Sequence, residues 1–460
     1  MLALGGGAYA LLQSLVVPAL PVLKHDLHAS TTGVTWIFTS YLLAASVVTP
    51  IAGRLGDMFG KKRVLVIALV GLALGTLLAA LVSSLGLMIV ARTIQGLGGA
   101  IFPLAFGILR DEFPRERVAG AIALVSGILG IGGGLGIVLA GPILQRLDYH
   151  WLFWIPLAVT AVSAIAAIVF IPESPVRAPG KVHWLGAVLL SLWLVCLLLA
   201  VSEASTWGWG SAKTLGLIAA GGLVAAAWVW AENRAPHPLV DMKMMRLRGV
   251  STTNAAALLL GFGMYSAFIL IPQFVQTPKS TGYGFGASVT QSGLFLVPTT
   301  IMMLITSPIG GRLSNIVGSK VPLVLGTIIT TLAFVVLAIA HSRWEIYVAS
   351  TLLGIGVGFA FASMANLIVE AVPPQQTGVA TGMNTIVRTI GGAIGAEVAA
   401  TIIAANALSS GLPAQRGYTI TFAICAGVVG LGILASLAVP SRRQPHVHFV
   451  AVSDPASSSN

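Results

Sequence analysis

Almost the whole chain consists of long apolar stretches separated by short polar segments. Fourteen of these stretches are close to the roughly 20 residues that an α-helix needs to cross the hydrocarbon core of a bilayer. The pattern predicts an all-α membrane protein with 14 transmembrane helices, here numbered spans one to fourteen. The spans cover residues 4–23, 33–53, 64–83, 86–107, 118–144, 151–171, 184–201, 213–231, 251–274, 289–311, 321–341, 346–370, 378–404 and 417–439.

Two regions of this pattern repeat each other. Residues 49–62 read TPIAGRLGDMFGKK and residues 307–320 read SPIGGRLSNIVGSK, so seven positions are identical at an offset of 258. Residues 90–99 and 348–357 form a second similar pair at the same offset. Related halves are typical of transporters, in which the halves move around a site between them.

The repeat divides the chain into segments, because it relates spans one to six to spans nine to fourteen. We expect an N-terminal six-helix bundle in residues 1–175 and a C-terminal six-helix bundle in residues 246–440. Two inserted helices with their linkers fill residues 176–245. The polar residues 441–460 are expected to form a disordered cytoplasmic tail.

Composition and charge agree with a membrane protein. The chain is 56% hydrophobic and only 8% charged, with a mean hydropathy of +0.94, which excludes a water-soluble globule. Of the 25 Lys and Arg residues, two lie inside spans, 17 fall on the side of the N-terminus and six on the other side. Basic loops stay in the cytoplasm, so both termini are predicted to be cytoplasmic. This topology accounts for the net charge of +11 without a nucleic-acid partner.

Sequence signals for other chemistry are missing. The chain has no phosphate-binding Gly-x4-Gly-Lys-Ser/Thr loop, no His-Glu-x-x-His metal site and no cysteine cluster. Cys196 and Cys425 both fall in predicted spans, where a disulfide framework is not expected. We therefore predict that the protein is not an enzyme and uses no metal or other cofactor.

The segment between spans two and three carries a recognisable motif. It consists of three glycines, one acid and two lysines, namely Gly53, Gly56, Asp57, Gly60, Lys61 and Lys62. The motif closely resembles the signature that the major facilitator superfamily has at this loop, Gly-x-Leu-Ala/Gly-Asp-x-x-Gly-Arg/Lys-Arg/Lys. Glycines would permit a tight turn, and Asp57 would cap a helix N-terminus or pair with an Arg, latching the cytoplasmic side. The alternative is a loop that only sets topology. The second copy has Asn315, so we expect the latch mainly in the first half.

Span four contains a buried basic residue, Arg92, followed by Gln95-Gly-Leu-Gly. A charge at membrane depth is costly and seldom accidental. The run is similar to a second motif of the same superfamily. The resemblance implies that Arg92 faces the central cavity and contacts polar groups of span one. The alternative is an Arg that extends to the outer surface.

Span five is rich in glycines that would let helices pack closely, among them Gly132, Gly136 and Gly141. It resembles the antiporter motif Gly-x-x-x-Gly-Pro-x-x-Gly-Gly. Ile137 stands at the proline position and Ala140 at the first glycine of the last pair. The departure weakens the inference of antiport but leaves close packing as the expectation.

The order and spacing of further polar and aromatic residues resemble the 14-helix drug:proton antiporters over residues 11 to 440. The residues that we expect to line a substrate cavity are Gln13, Trp36, Tyr41, Asn384 and Arg388. Each has a simpler alternative. The aromatic residues could contact lipid, the amides could join neighbouring helices, and Arg388 could be structural.

A proton-driven transporter needs a group that gains and loses a proton, usually an acid. The 14-helix relatives usually have an Asp in span one, but Leu12 occupies that position and Val17 replaces an Asn. Glu397 is the only acid well inside a span, and it lies on the face of its helix opposite to Arg388. It could carry the proton in the cavity, or it could be solvated or structural near the outer mouth.

Taken together, the patterns predict a secondary transporter in a bacterial plasma membrane. It would export hydrophobic or amphipathic small molecules by alternating access, in exchange for protons, as a monomer in the lipid bilayer. Two alternatives remain open. One is an uncoupled facilitator or exporter of a single metabolite or lipid, and the other is a transporter-like membrane sensor or scaffold.

Overall fold

The computed structural model describes residues 1–174, 181–340, 342–408, 410 and 412–441. The predicted tail therefore lies outside the described residues apart from Ser441, and so does the start of the linker at 176–180. Within the described ranges the secondary structure is helical, apart from one isolated β-bridge between Ala407 and Pro413. The predicted all-α fold class is confirmed.

The described residues form 18 α-helices. In chain order they are α1 Leu2–Asp26, α2 Thr31–Phe59, α3 Lys61–Leu81, α4 Leu85–Gln95, α5 Ile101–Glu112, α6 Arg115–Arg146, α7 Trp151–Phe170, α8 Trp184–Ser202, α9 Ala204–Trp207, α10 Ala212–Arg234, α11 Met242–Arg246, α12 Arg248–Gln276, α13 Val289–Leu294, α14 Val297–Val317, α15 Lys320–Ile339, α16 Arg343–Ala371, α17 Thr377–Ala405 and α18 Gln415–Ala438. Three short 3-10 turns occupy Gly96–Ala100, Lys279–Thr281 and Pro374–Gln376.

Within the described residues, 14 helical stretches are long and apolar enough to cross a membrane, which confirms the predicted number of spans. Span four is made of α4 and α5 joined by the 3-10 turn Gly96–Ala100. Glycine is needed in this turn because α2 packs directly on it: a Cβ on Gly96 would lie 2.8 Å from the backbone nitrogen of Ala45. Span ten is likewise divided, into α13 and α14.

The connection between spans two and three differs from the expected loop. α2 continues to Phe59 and α3 begins at Lys61, so Gly53, Gly56 and Asp57 are helical and Gly60 alone makes the turn. Gly60 has a φ of 114°, a left-handed conformation that a residue with a Cβ adopts only with strain. We call this side of the bundle the Gly60 end. Because 14 membrane-crossing helices alternate in direction, the first and last of them place Met1 and Ser441 at the same end.

The helices bury separate apolar cores. One core is built mainly by α1 to α7, and a second by α12 to α18. The inserted helices α8 and α10 pack on each other, with the rings of Trp193 and Trp228 5.9 Å apart, and their core includes Met383 and Ile386 of α17. The boundaries proposed at 175, 245 and 440 remain predictions.

The glycines of α6 bring this helix close to helices of both halves. Cβ atoms on Gly132 and Gly136 would each lie 2.8 Å from backbone atoms of α1, while one on Gly141 would lie 3.1 Å from the Cα of Thr290 in α13. The hydroxyl of Ser14 donates a hydrogen bond to the carbonyl of Gly132 at 2.8 Å. The predicted close packing is therefore present, and α6 serves as a shared wall between the halves.

Candidate functional site

Two adjoining cavities lie between the halves, and we call them the central chambers. Their free volumes are about 10 and 30 Å³, enough for only one or two water molecules. Both are lined by Phe102 of α5 and by Thr385 and Arg388 of α17. One also contacts Phe106, Ser126, Phe361, Ala365, Thr381 and Asn384. The other also contacts Tyr9, Gln13, Leu42, Ala45, Ser46, Thr49, Gly99, Tyr265, Ile386 and Thr389.

Three of the five expected cavity residues line the central chambers. Gln13 reaches across from α1 and donates a hydrogen bond to the hydroxyl of Tyr265 in α12, with 3.5 Å between the two atoms. Asn384 donates to the side-chain oxygen of Asn254 at 2.8 Å. The amides thus join helices and line the chambers at the same time.

Arg388 is the one basic residue among the described residues of the chamber lining. Its guanidinium carbon lies 4.5 Å from the centre of the Phe361 ring, and its Nε atom is buried without a hydrogen-bond partner. No ion pair involves Arg388 in the described part of the chain. The guanidinium is therefore available to a ligand in the chambers.

Trp36 and Tyr41 do not line the chambers, so the structure corrects these two expectations. The lining positions of α2 are Leu42, Ala45, Ser46 and Thr49, which follow one helical stripe. Tyr41 lies about 100° from Leu42 around the helix. Its hydroxyl donates to the carbonyl of Tyr9 at 3.1 Å, inside the first half. Trp36 lies still farther from the stripe.

Arg92 is fully buried inside the first half, so it neither extends to the surface nor lines the chambers. Its guanidinium donates to the carbonyl of Ile37 at 3.0 Å, to the side-chain oxygen of Gln95 at 2.6 Å and to the carbonyl of Leu12 at 3.4 Å. The ring of Tyr41 lies 4.2 Å below it. The predicted contact with span one is made through a backbone carbonyl, because position 12 has no acid to offer.

At the Gly60 end, Asp57 connects the two halves. Its Oδ1 and Oδ2 atoms accept hydrogen bonds from the backbone N–H groups of Gly378 and Val379, each at 3.2 Å. These groups belong to the first turn of α17, where the helix dipole is positive and favours a carboxylate. A Cβ on Gly53 would lie 2.5 Å from the carbonyl oxygen of Gly378. Glycine is required there because α2 and α17 touch through their backbones.

Lys61 lies beside Asp57 and positions it. It is fully buried, with Nζ 2.7 Å from Asp111 Oδ2 and 3.7 Å from Asp57 Oδ1. Ser174 also donates a hydrogen bond to Asp111. Two carboxylates face one ammonium, and the N-terminus of α17 supplies further positive potential for Asp57. Lys62 follows on the first turn of α3, where its backbone N–H donates to Glu173 at 3.2 Å.

Further contacts close the same end. Arg110 donates to the hydroxyl of Thr377 at 2.6 Å and to the carbonyl of Val372 at 2.9 Å. Asn315, the repeat counterpart of Asp57, donates to the carbonyl of Glu116 at 2.9 Å. Both copies of the repeated motif therefore join the halves at the Gly60 end, the first through Asp57 and the second through Asn315.

Glu397 lies in α17 beyond the chambers, towards the end opposite Gly60. It is buried and accepts a hydrogen bond from the backbone N–H of Ser205 in α9. Trp209 donates to Thr401 at 2.7 Å beside it. The carboxylate therefore faces neither the chambers nor bulk solvent, because the connection between the inserted helices covers it. Burial raises the pKa of the neighbouring Glu203 above its usual value.

Fourteen membrane-crossing helices, two related cores and closed chambers between them define a multi-pass membrane protein of the transporter class. The family model described as Major Facilitator Superfamily matches residues 2–396 and 253–457. The chain belongs to the Major Facilitator Superfamily. The resemblance in the Asp57 and Arg92 motifs pointed to this family.

Several characterised relatives are export or resistance proteins. The tetracenomycin C resistance and export protein of Streptomyces glaucescens is 31% identical over 83% of this chain and 71% of the relative. Multidrug resistance protein 3 of Bacillus subtilis is 29% identical, over 76% and 68%. Multidrug resistance protein Stp of Mycobacterium tuberculosis is 27% identical, over 99% and 81%.

The fold also matches a solved transporter. The crystal structure of the human organic anion transporter MFSD10 has a TM-score of 0.68 with this chain at 16% sequence identity. The match covers 95% of this chain and 98% of the other. At this identity the likeness establishes the fold alone.

Proposed function

We propose that the protein is a secondary transporter that exports hydrophobic or amphipathic small molecules from a bacterial cell by alternating access. The observation that carries the proposal is the pair of central chambers, lined by α1, α2 and α5 of one half and by α12, α16 and α17 of the other. A site shared by two halves opens to alternate sides when the halves rock. The names of the relatives support export as the direction.

In this proposal the Gly60 end faces the cytoplasm, as the excess of Lys and Arg on that side predicts. The structure then corresponds to a state closed towards the cytoplasm. Asp57 acts as the latch, and Lys61 with Asp111 positions it. Arg92 positions α1 against α2 by binding a carbonyl of each. The protein works as a monomer in the lipid bilayer and catalyses no chemical reaction.

For proton exchange we propose Glu397 as the group that binds the proton. It is buried, and protonation would weaken the bond that it accepts from Ser205, loosening the inserted helices from α17. The competing function is uncoupled export. It is favoured by the absence of Asp and Glu among the described residues that line the chambers.

The test measures the flux of lipophilic dyes across the membrane of vesicles that contain the purified protein, under an imposed pH gradient. Wild type is compared with Glu397→Gln and with the control Glu112→Gln, which changes an exposed acid. Flux that needs the gradient and is lost only in Glu397→Gln is the expected result. Flux that does not depend on the gradient and is unchanged in Glu397→Gln would establish uncoupled export. Absence of flux for every lipophilic dye tested would contradict the proposal.

A further inference from the structure

The central chambers carry positive charge without a compensating acid. Arg388 opens into both, and no Asp or Glu occurs among the described residues of their lining. Arg92 lies one layer of side chains away from the chambers. It contacts the ring of Tyr41, and the Tyr41 ring lies 5.6 Å from that of the lining residue Tyr9. Neither arginine forms an ion pair within the described ranges.

A buried guanidinium is costly unless its donors are satisfied. Arg92 meets three acceptors and keeps an unpartnered Nη2 inside the first half, away from the chamber lining. Arg388, which lines the chambers, rests on the Phe361 ring and keeps a buried, unpartnered Nε. A planar donor set of this kind matches a carboxylate or another anionic oxygen, which can bind two N–H groups at once. The missing acceptor is thus one that a ligand would supply.

The rest of the lining fits flat rings with polar edges. Phe106 and Phe361 line one chamber, Tyr9 and Tyr265 line the other, and Phe102 lines both together with Arg388. Aromatic side chains bury large apolar area and stack on aromatic ligands. The hydroxyl and amide groups come from Ser46, Thr49, Ser126, Thr381, Asn384, Thr385 and Thr389. The threonine hydroxyls already donate to carbonyls of their own helices, so they accept hydrogen bonds from ring substituents, whereas the Ser126 hydroxyl has no described partner.

We propose that the central chambers, enlarged when the two halves move apart, bind aromatic compounds that carry an anionic oxygen, a carboxylate or an ionised phenol, and that Arg388 pairs with this oxygen. The inference names the substrate class of the proposed exporter and rests on that function. Selection against cations follows from the same residues, because like charges a few ångströms apart repel strongly where water is scarce.

The experiment uses two dyes with the same xanthene scaffold and opposite charge, fluorescein as the anion and rhodamine 123 as the cation. Binding to the purified full-length protein is followed by fluorescence anisotropy. The variants are Arg388→Gln, which removes the charge, and Arg388→Lys, which keeps it. Arg416→Gln changes an exposed Arg and serves as the control.

We expect fluorescein to bind wild type at least about tenfold more tightly than rhodamine 123, a difference of about 1.4 kcal/mol. Arg388→Gln should remove this preference by weakening fluorescein, Arg388→Lys should keep part of it, and Arg416→Gln should leave it unchanged. Equal binding of the two dyes, a preference for rhodamine 123, or fluorescein binding unaffected by Arg388→Gln would overturn the inference. The wild-type comparison needs no variant, so it decides even if Arg388→Gln fails to fold.

Flux measured in vesicles separates this inference from the export function. Fluorescein binding that depends on Arg388, without flux of either dye, would contradict export and support the binding site. Transport of rhodamine 123 alone would support export and overturn the anion inference.

Discussion

The two halves of the chain repeat each other in fold but differ in charge at corresponding positions. Asp57 in α2 corresponds to Asn315 in α14, and Arg92 in α4 corresponds to Ser350 in α16, both at the offset of 258. Asp57 accepts two backbone N–H groups at the start of α17, whereas Asn315 donates to one carbonyl of α6. Backbone packing is therefore shared by the halves, while the charged contacts belong to the first.

The backbone approach itself is nearly symmetric. A Cβ on Gly53 would lie 2.5 Å from the carbonyl oxygen of Gly378, and one on Gly311 would lie 2.9 Å from that of Ala119. Both glycines let a helix of one half press on a helix of the other. Glycine therefore sets the contact between the halves, and charge decides which contact holds the end closed.

The largest effect on transport is expected from Arg92, compared with Ser350 at the corresponding position of the second half. Arg92→Ala should reduce transport by more than about tenfold while the protein still inserts, because removing the guanidinium leaves two carbonyls and Gln95 without a buried donor. Ser350→Ala should keep most of the activity, since the Ser350 hydroxyl has no described partner. Vesicle flux, normalised to inserted protein, measures both. Full activity in Arg92→Ala would remove Arg92 from the mechanism.

The next effect is at the latch. Asp57→Ala removes a charged acceptor of two N–H groups, which we expect to weaken the closed Gly60 end by roughly 2 kcal/mol, about thirtyfold in the ratio of closed to open states. Asp57→Asn keeps one acceptor oxygen and should be intermediate, with cycling impaired and ligand binding near normal. Initial transport rates and dye affinity are the measurements. An unchanged rate in Asp57→Asn would refute the latch.

A glycine substitution separates packing from charge. Gly53→Ala should slow transport severalfold, because its Cβ would press on the Gly378 carbonyl although Asp57 is still present. Gly427→Ala, at a helical position with open space around it, is the matched control. Stopped-flow dye release from vesicles gives the rates. Equal rates for the two variants would mean that the backbones need not approach.

The smallest effect is expected at Asn315. Asn315→Ala loses one exposed hydrogen bond, worth about 1 kcal/mol or less, so transport should remain within about twofold of wild type. The same flux assay applies. A loss as large as that of Asp57→Ala would show that the two contacts are equivalent and that the halves do not differ at this end.

Hydropathy was enough to predict the 14 helices, because lipid requires each crossing to be a long apolar helix. It could not predict where α2 ends: Arg54 and Asp57 suggested a polar loop, but Asp57 stays helical because the first turn of α17 supplies its partners. The motif did indicate that Asp57 could cap a helix N-terminus. Which helix it caps depends on tertiary packing.

Side-chain direction was harder to predict than helix position. No local pattern indicated that α9 would cover Glu397, since their contact joins residues 192 positions apart. Tyr41 and Trp36 were expected in the cavity, but only the stripe through Leu42, Ala45 and Thr49 shows which face of α2 points there. Gln13, Asn384 and Arg388 line the central chambers, and their role in substrate binding stays a prediction.

The central claim is that Asp57 keeps the Gly60 end closed. Spin labels at Phe59→Cys in α2 and Gln375→Cys before α17, in a chain with Cys196 and Cys425 replaced, report the separation of the halves by double electron–electron resonance. Without ligand, we expect one short distance in wild type and in Asn315→Ala, and a substantial longer population in Asp57→Ala. The same short distance in all three proteins would show that Asp57 does not hold this end closed.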